Sequence, residues 1–195
     1  MGTTNKVKFG IKNCYFAVAT LAANNSATYA NPKALPGAVS ISLDAQGEST
    51  PFYADDIVYY TDIANSGYEG SLELALVPDD FKKDVLGYAA DANGVLYEDA
   101  DAPAVHFALL FEFDGDKHAK RHVLYNCTAT RPAVGSSTKT ATAEPQTETI
   151  NITATSVYNA TISKNVVKAS VTPTETTQYN AWLTAVYQPT GTAST

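Results

Sequence analysis

Charge is scarce in this 195-residue chain, and what there is leans acidic. Lys, Arg, Asp and Glu make up 17% of the residues, where soluble domains usually carry ~25%. Thirteen basic against 20 acidic side chains leave a net charge of -7 and a pI near 4.8. A protein that grips nucleic acid by displacing counterions from phosphates needs the opposite balance, so a general nucleic-acid binder is excluded. Two cysteines, Cys14 and Cys127, are too few for a disulfide framework and lack the spacing of redox or zinc motifs. They read as small buried apolar side chains. No apolar run approaches the ~18 residues of a membrane helix, and Met1 to Lys6 lacks the apolar core of a secretory signal. A soluble protein made in a cytoplasm, without membrane insertion, is expected. The sequons at Asn24, Asn126, Asn151 and Asn159 then follow from a Thr-rich composition.

What replaces charge is Thr, Ser and Asn, together with Val, Ala and 12 Tyr. These residues suit pleated, half-buried surfaces, which predicts a mainly β protein. The length fits one domain over 1–195, with the Thr-rich part from 139 to 195 belonging to it. Strict alternation marks Val39, Ile41 and Leu43, and again Leu72, Leu74 and Leu76, as core faces of strands. Phe107, Leu109, Phe111 and Phe113 share one face of a run whose other face, Ala108 and Leu110, is also apolar, as in a central strand. The turn signal Asp114 to Lys117, followed by His122 to Thr128, makes 106–130 a hairpin. Val7, Phe9 and Ile11 open a first strand running to Val18, and Ile150 with Ile152 and Val167 with Val171 supply later ones. Two short helices are expected. One covers 79–87 behind Asp79 and Asp80 as caps, and the other places Tyr179, Trp182, Leu183 and Val186 on one face behind Thr176 or Thr177. Polar stretches at 22–37 and 131–146 read as loops.

Catalytic chemistry is hard to assemble from these residues. His118 and His122 with Asp114 and Asp116 form the one metal-like cluster, but Lys117, Lys120 and Arg121 surround it and oppose a cation, so a solvated hairpin tip is the better reading. His106 reads as a strand residue rather than a base. The pairs Asp55-Asp56 and Asp79-Asp80 point to opposite faces if they lie in strands, so neither makes a two-carboxylate site. Ser136 to Lys139 matches Ser-x-x-Lys without its companion motifs. No enzyme, no cofactor and no metal is expected. The distinctive feature is aromatic density: Phe52, Tyr53, Tyr59 and Tyr60 flank Asp55 and Asp56, and Tyr68 follows. Polar-tipped aromatics favour interfaces, and a core strand with a wet edge is the competing reading.

Several strings match a known family in order and spacing. They are Gly10-Ile11-Lys12-Asn13-Cys14-Tyr15-Phe16, Leu35-Pro36-Gly37-Ala38-Val39-Ser40, Pro51-Phe52-Tyr53-Ala54-Asp55-Asp56, Gly67-Tyr68-Glu69-Gly70, Pro78-Asp79-Asp80-Phe81, Phe107 to Asp116, and Arg121 to Cys127 with Arg131-Pro132. Over 7–135 the chain resembles the major tail proteins of long-tailed, non-contractile bacteriophages of the phi13 type; beyond 139 the likeness is looser. The resemblance implies a β-sandwich subunit with a flanking helix that contributes strands to a shared β-barrel. Six such subunits form rings that stack around a tape-measure protein, meet tail-end proteins, and conduct DNA as a non-adhesive passenger. It also implies that the connection Asp44 to Gly67, with Phe52, Tyr53, Asp55, Asp56, Tyr59, Tyr60 and Tyr68 in or beside it, makes contacts between subunits. The alternative is a β-sandwich that binds carbohydrate, or an Ig-like adhesion module.

Overall fold

A computed structural model describes residues 9–114, 120–136, 138 and 145–191. In chain order the strands are β1 (Phe9–Leu21), β2 (Ala27–Tyr29), β3 (Lys33–Ala34), β4 (Ala38–Gln46), β5 (Ser49–Ala54), β6 (Ile57–Ile63) and β7 (Gly67–Leu74). Helix α1 (Asp79–Asp84) follows, then β8 (Tyr88–Ala90), β9 (Leu96–Glu98), β10 (His106–Asp114), β11 (Arg121–Ala129) and β12 (Glu148–Thr155). The chain continues through β13 (Val157–Asn159), β14 (Lys164–Val166), β15 (Lys168–Val171) and α2 (Thr176–Ala181). The protein is mainly β with two short helices. Among the described residues, nine strands join in one antiparallel sheet ordered β2-β1-β10-β11-β12-β7-β4, with β3 added to β1 and β15 to β11. It does not close into a barrel.

The sheet bends because β11 has two partners. Its first half pairs with β15 and its second half with β12, so β12, β7 and β4 leave at one end and face β1, β10 and β11 across a shared core. Phe16, Leu72, Leu74, Phe107, Leu109, Leu124, Ile150 and Ile152 fill that space. Bulges in β1, at Gly10 (φ 49°) and Asn13 (φ 50°), bend the strand, as an extra residue does in a ladder. Helix α1 closes one end: Phe81 is fully buried, with its ring edge-on to Phe16 at 5.0 Å and Phe107 at 5.4 Å. Gly87 (φ 76°) follows as a left-handed stop.

The opposite face of β1, β10 and β11 carries a second core. Ala17, Ala108, Leu110, Val123 and Tyr125 pack there against Val157, Val171 and Trp182. This third layer is the Thr-rich C-terminal part of the chain. A charged clamp fastens it: buried Glu112 accepts from Asn13 Nδ2 (3.1 Å) and Arg121 Nε (3.3 Å). The Arg121 guanidinium lies 3.9 Å over the Tyr179 ring and donates to the Tyr179 carbonyl at 2.6 Å.

Several sequence expectations change. Leu72, Leu74, Phe107, Leu109 and Phe111 are buried, and Ile41, Leu43 and Phe113 are partly buried against the same core. Val39 is instead 48% exposed, because a bulge between Ala38 and Ser40 breaks the alternation and turns it outward. Leu76 is 64% exposed, because β7 ends at Leu74 and the chain turns, leaving Val77 to fill the core. Neither helix is capped as expected. Pro78 precedes α1 and Glu175 precedes α2 without side-chain cap bonds, while Asp79 and Asp80 lie in the first turn of α1, where their charge complements the helix dipole. Helix α2 stops at Ala181, yet Trp182, Leu183 and Val186 still pack onto the second core. The stretch 22–37 contains β2 and β3, which pair with β1.

Substituting Phe81→Ala is expected to cost about 3–5 kcal/mol in urea unfolding, through lost burial and the cavity left behind. Leu76→Ala is expected to change stability by less than about 0.5 kcal/mol, since its side chain already faces water.

Candidate assembly interface

The antiparallel pair β4 and β7 does not end at the edge of the body. Ser66 N–H donates to the Gln46 carbonyl (2.8 Å) and Ala64 N–H to the Glu48 carbonyl (3.0 Å), so the ladder runs on into β5 and β6 as one long hairpin. At the root, close approach demands a glycine: a Cβ on Gly47 would lie 2.0 Å from the Ala64 carbonyl oxygen. β5 and β6 form a two-stranded sheet of their own, an arm about 20 Å long at ~3.4 Å per residue.

The arm turns at Asp55 (φ 53°) and Asp56 (φ 60°), both left-handed. That is the signature of the two-residue hairpin turn whose twist matches its strands, and Asp tolerates it better than most residues. Asp55 and Asp56 are therefore a turn and not the strand pair considered from sequence. Phe52 pairs with Tyr60 and Tyr53 with Val58, and a bulge between these pairs makes Tyr59 the extra residue. Cross-strand partners share a face, so Phe52, Tyr60 and Ile57 lie on one side and Tyr53 and Val58 on the other. All six large side chains are more than half exposed, Tyr59 most of all at 72%. In the single chain this segment is therefore no core strand. A two-stranded ribbon that exposes large side chains on both faces is marginal in water by itself.

Tyr68 is set apart from the other nominated residues. It lies in β7 at the root of the arm, half-buried against the main core, with Lys168 Nζ 4.5 Å from its ring centroid. The sequence reading missed Ile57 and Val58, although they stand directly beside the tyrosines.

A second surface emerges from register alone. Across β4, β7 and β12 the rows Ile41–Leu72–Ile150 and Leu43–Gly70–Ile152 face the core. The intervening rows Ser40–Glu73–Thr149, Ser42–Ser71–Asn151 and Asp44–Glu69–Thr153 face away from it. These three strands contain no Lys, Arg or His. Glu73 accepts from Ser40 Oγ (2.8 Å) and Thr147 Oγ1 (2.6 Å), and these hydroxyls hold its carboxyl below the usual range. Among the described residues β4 pairs with β7 alone, which leaves its outer edge open.

Of the remaining candidates, Asp116, His118, Ser137 and Lys139 lie outside the described residues. His122 stacks on Phe111 with centroids 5.3 Å apart. His106 Nδ1 meets Asn126 Oδ1 at 2.7 Å, a pairing inside the sheet. Cys14 and Cys127 are free and buried, and burial pushes both thiols up to about 12. Among the described residues, no group of three or more His, Cys, Asp or Glu is placed to hold a metal, and no helix is long and apolar enough to cross a membrane.

Tyr59→Ala is expected to impair self-association while shifting the monomer's unfolding free energy by less than about 0.5 kcal/mol, and Asp56→Lys is expected to impair it with a loss of about 1 kcal/mol, because Lys tolerates the left-handed turn less well than Asp. Thermal melts alongside sedimentation check this, and equal loss of both properties would return the segment to the core-strand reading. Thiol titration at pH 8 should find neither cysteine reactive in the folded protein and both reactive in urea, because the thiolate is the reacting form.

Comparison with known proteins follows the same direction. No curated protein matches the chain. A family model described as phage tail tube protein matches residues 2–195. That match spans nearly the whole chain, including the Thr-rich third where the resemblance of individual strings was loose, and the chain belongs to the phage tail tube protein family.

Proposed function

We propose that this subunit forms hexameric rings that stack into the tail tube, enclose the tape-measure protein, join tail-end proteins, and later conduct the genome into the host. The protein would be made in the host cytoplasm and end in the virion tail. The observation that carries this reading is the uncovered polar face of β4, β7 and β12. Its side chains are short hydroxyls, an amide and three carboxylates, with no cation in any of the three strands. A duplex carries one negative charge per ~1.7 Å of axis, so a basic wall would hold it, whereas this wall lets it slide. Six copies of a three-stranded face, widened by one strand from a neighbour, give about 18 to 24 strands, which meets or exceeds the 16 to 18 of water-filled porins. Joining neighbours along the open edge of β4 would also remove that edge from solvent.

The arm supports the same reading through magnitude. Removing roughly 400 Å² of aromatic surface from water yields about 10 kcal/mol of gross driving force, while association costs about 4–15 kcal/mol. One arm contact is then near break-even. A closed ring repeats the contact, and stacking repeats it again, so assembly becomes cooperative and concentration-dependent.

Negative-stain microscopy of concentrated protein is expected to show rings or tubes; a persistent monomer with affinity for glycans would overturn the proposal. Gel-shift titration should show negligible affinity for duplex DNA at physiological salt. The triple variant Asp44→Lys, Glu69→Lys, Glu73→Lys should gain binding that falls steeply with added salt. The Ser40 and Thr147 hydroxyls lower the Glu73 carboxyl, so mild acidification is expected to leave the wild type non-adhesive in the same titration.

A further inference from the structure

The main core is plugged at one end by α1, but it opens at the other. A cleft of about 420 Å³ lies there, walled by Ile41 and Leu43 of β4, Tyr68 of β7, Phe111 and Phe113 of β10, and Lys168 of β15. Ile41, Leu43, Tyr68 and Phe113 are only partly buried, so the core itself reaches the surface here. None of the described lining residues is acidic, while Lys168 is exposed at the rim.

The arm has the complementary chemistry. Residues 48–64 carry Glu48, Asp55, Asp56 and Asp62 with no Lys, Arg or His, and they present Phe52, Tyr53, Tyr59 and Tyr60 to solvent. The arm also leaves from the rim of its own cleft. Tyr68 pairs with Ala45 at the root, and the ladder then carries the tip away from the body. Aromatic ligand and apolar receptor therefore sit on one molecule, separated by about the length of the arm.

We infer that the arm of one copy docks in this cleft of the next, with its aromatic rings on Ile41, Leu43, Tyr68 and Phe113 and its acidic turn beside Lys168. This rests on the tube reading and specifies its contact. The interface is heterologous: each copy gives an arm and receives one, which generates closed rings or open filaments according to the rotation between copies. Charge pairing at the rim sets which arm enters and in which orientation, and the aromatic burial supplies most of the attraction.

The test is photo-cross-linking in the full-length protein. Tyr59 is replaced by the photoreactive benzoylphenylalanine, isotope-labelled and unlabelled copies are mixed at assembling concentration, and cross-linked peptides are identified by mass spectrometry. The expected result is a cross-link between copies, from position 59 to peptides containing residues 41–43, 68, 111–113 or 168. Lys168→Glu, a surface change that should leave the fold intact, is expected to weaken it severalfold, and adding Asp56→Lys is expected to restore it. Cross-links from arm to arm, within one copy, or to any other surface would overturn the inference, as would tubes that form with no cross-link. Tubes with cross-links elsewhere leave the tube reading standing; cross-links to the cleft without rings or tubes sink that reading and leave this contact.

Discussion

Strand β10 must be covered on both faces, and the rest of the architecture follows from that constraint. Phe107, Leu109 and Phe111 face one way, Ala108 and Leu110 the other, and all five are buried. One sheet folded on itself covers only the first face. The second face needs another layer, and the Thr-rich C-terminal part supplies it with Trp182, Val157 and Val171. The Glu112–Arg121–Tyr179 clamp sits at that junction. Arg121 there satisfies a buried carboxylate that would otherwise carry a heavy desolvation cost.

With β10 and β11 committed to two cores, β4, β7 and β12 have only one face left to bury. Their inward rows are apolar and complete the first core, and the outward rows remain wet. The same division explains the arm. Beyond Gln46 and Gly67 none of the described residues packs beneath the β4–β7 ladder, so residues that would be core anywhere else stand in solvent. The acidic chain thus shows an exposed aromatic ribbon and a cleft at the mouth of the core, and membership of the tail tube family implies assembly from many copies of itself.

The elements were largely legible because period-2 alternation is a local signal. It marked β4, β7, β10, β11 and β12, and it missed where a single inserted residue or an early strand end altered the phase. Val39 and Leu76 illustrate this, since a bulge and a chain turn are set by pairing partners and not by the residues themselves. Short helices fared similarly: Asp79 and Asp80 marked α1 correctly but sat inside it rather than capping it. The aromatic segment stood out in sequence, yet burial and exposure produce the same pattern of Tyr, Phe and Val. What distinguishes an arm from a core strand is the exposure of the large side chains of β5 and β6 among the described residues.

Composition and alternation by themselves determined an acidic, β-rich chain, because those properties are sums or local periods along the sequence. The tertiary structure decided which face each strand turns to water. That choice separates a polar wall from a core, an arm from a strand, and a cleft from a sealed interior. It depends on which strands lie across the core from one another, at separations of up to a hundred residues, and no local pattern encodes that pairing.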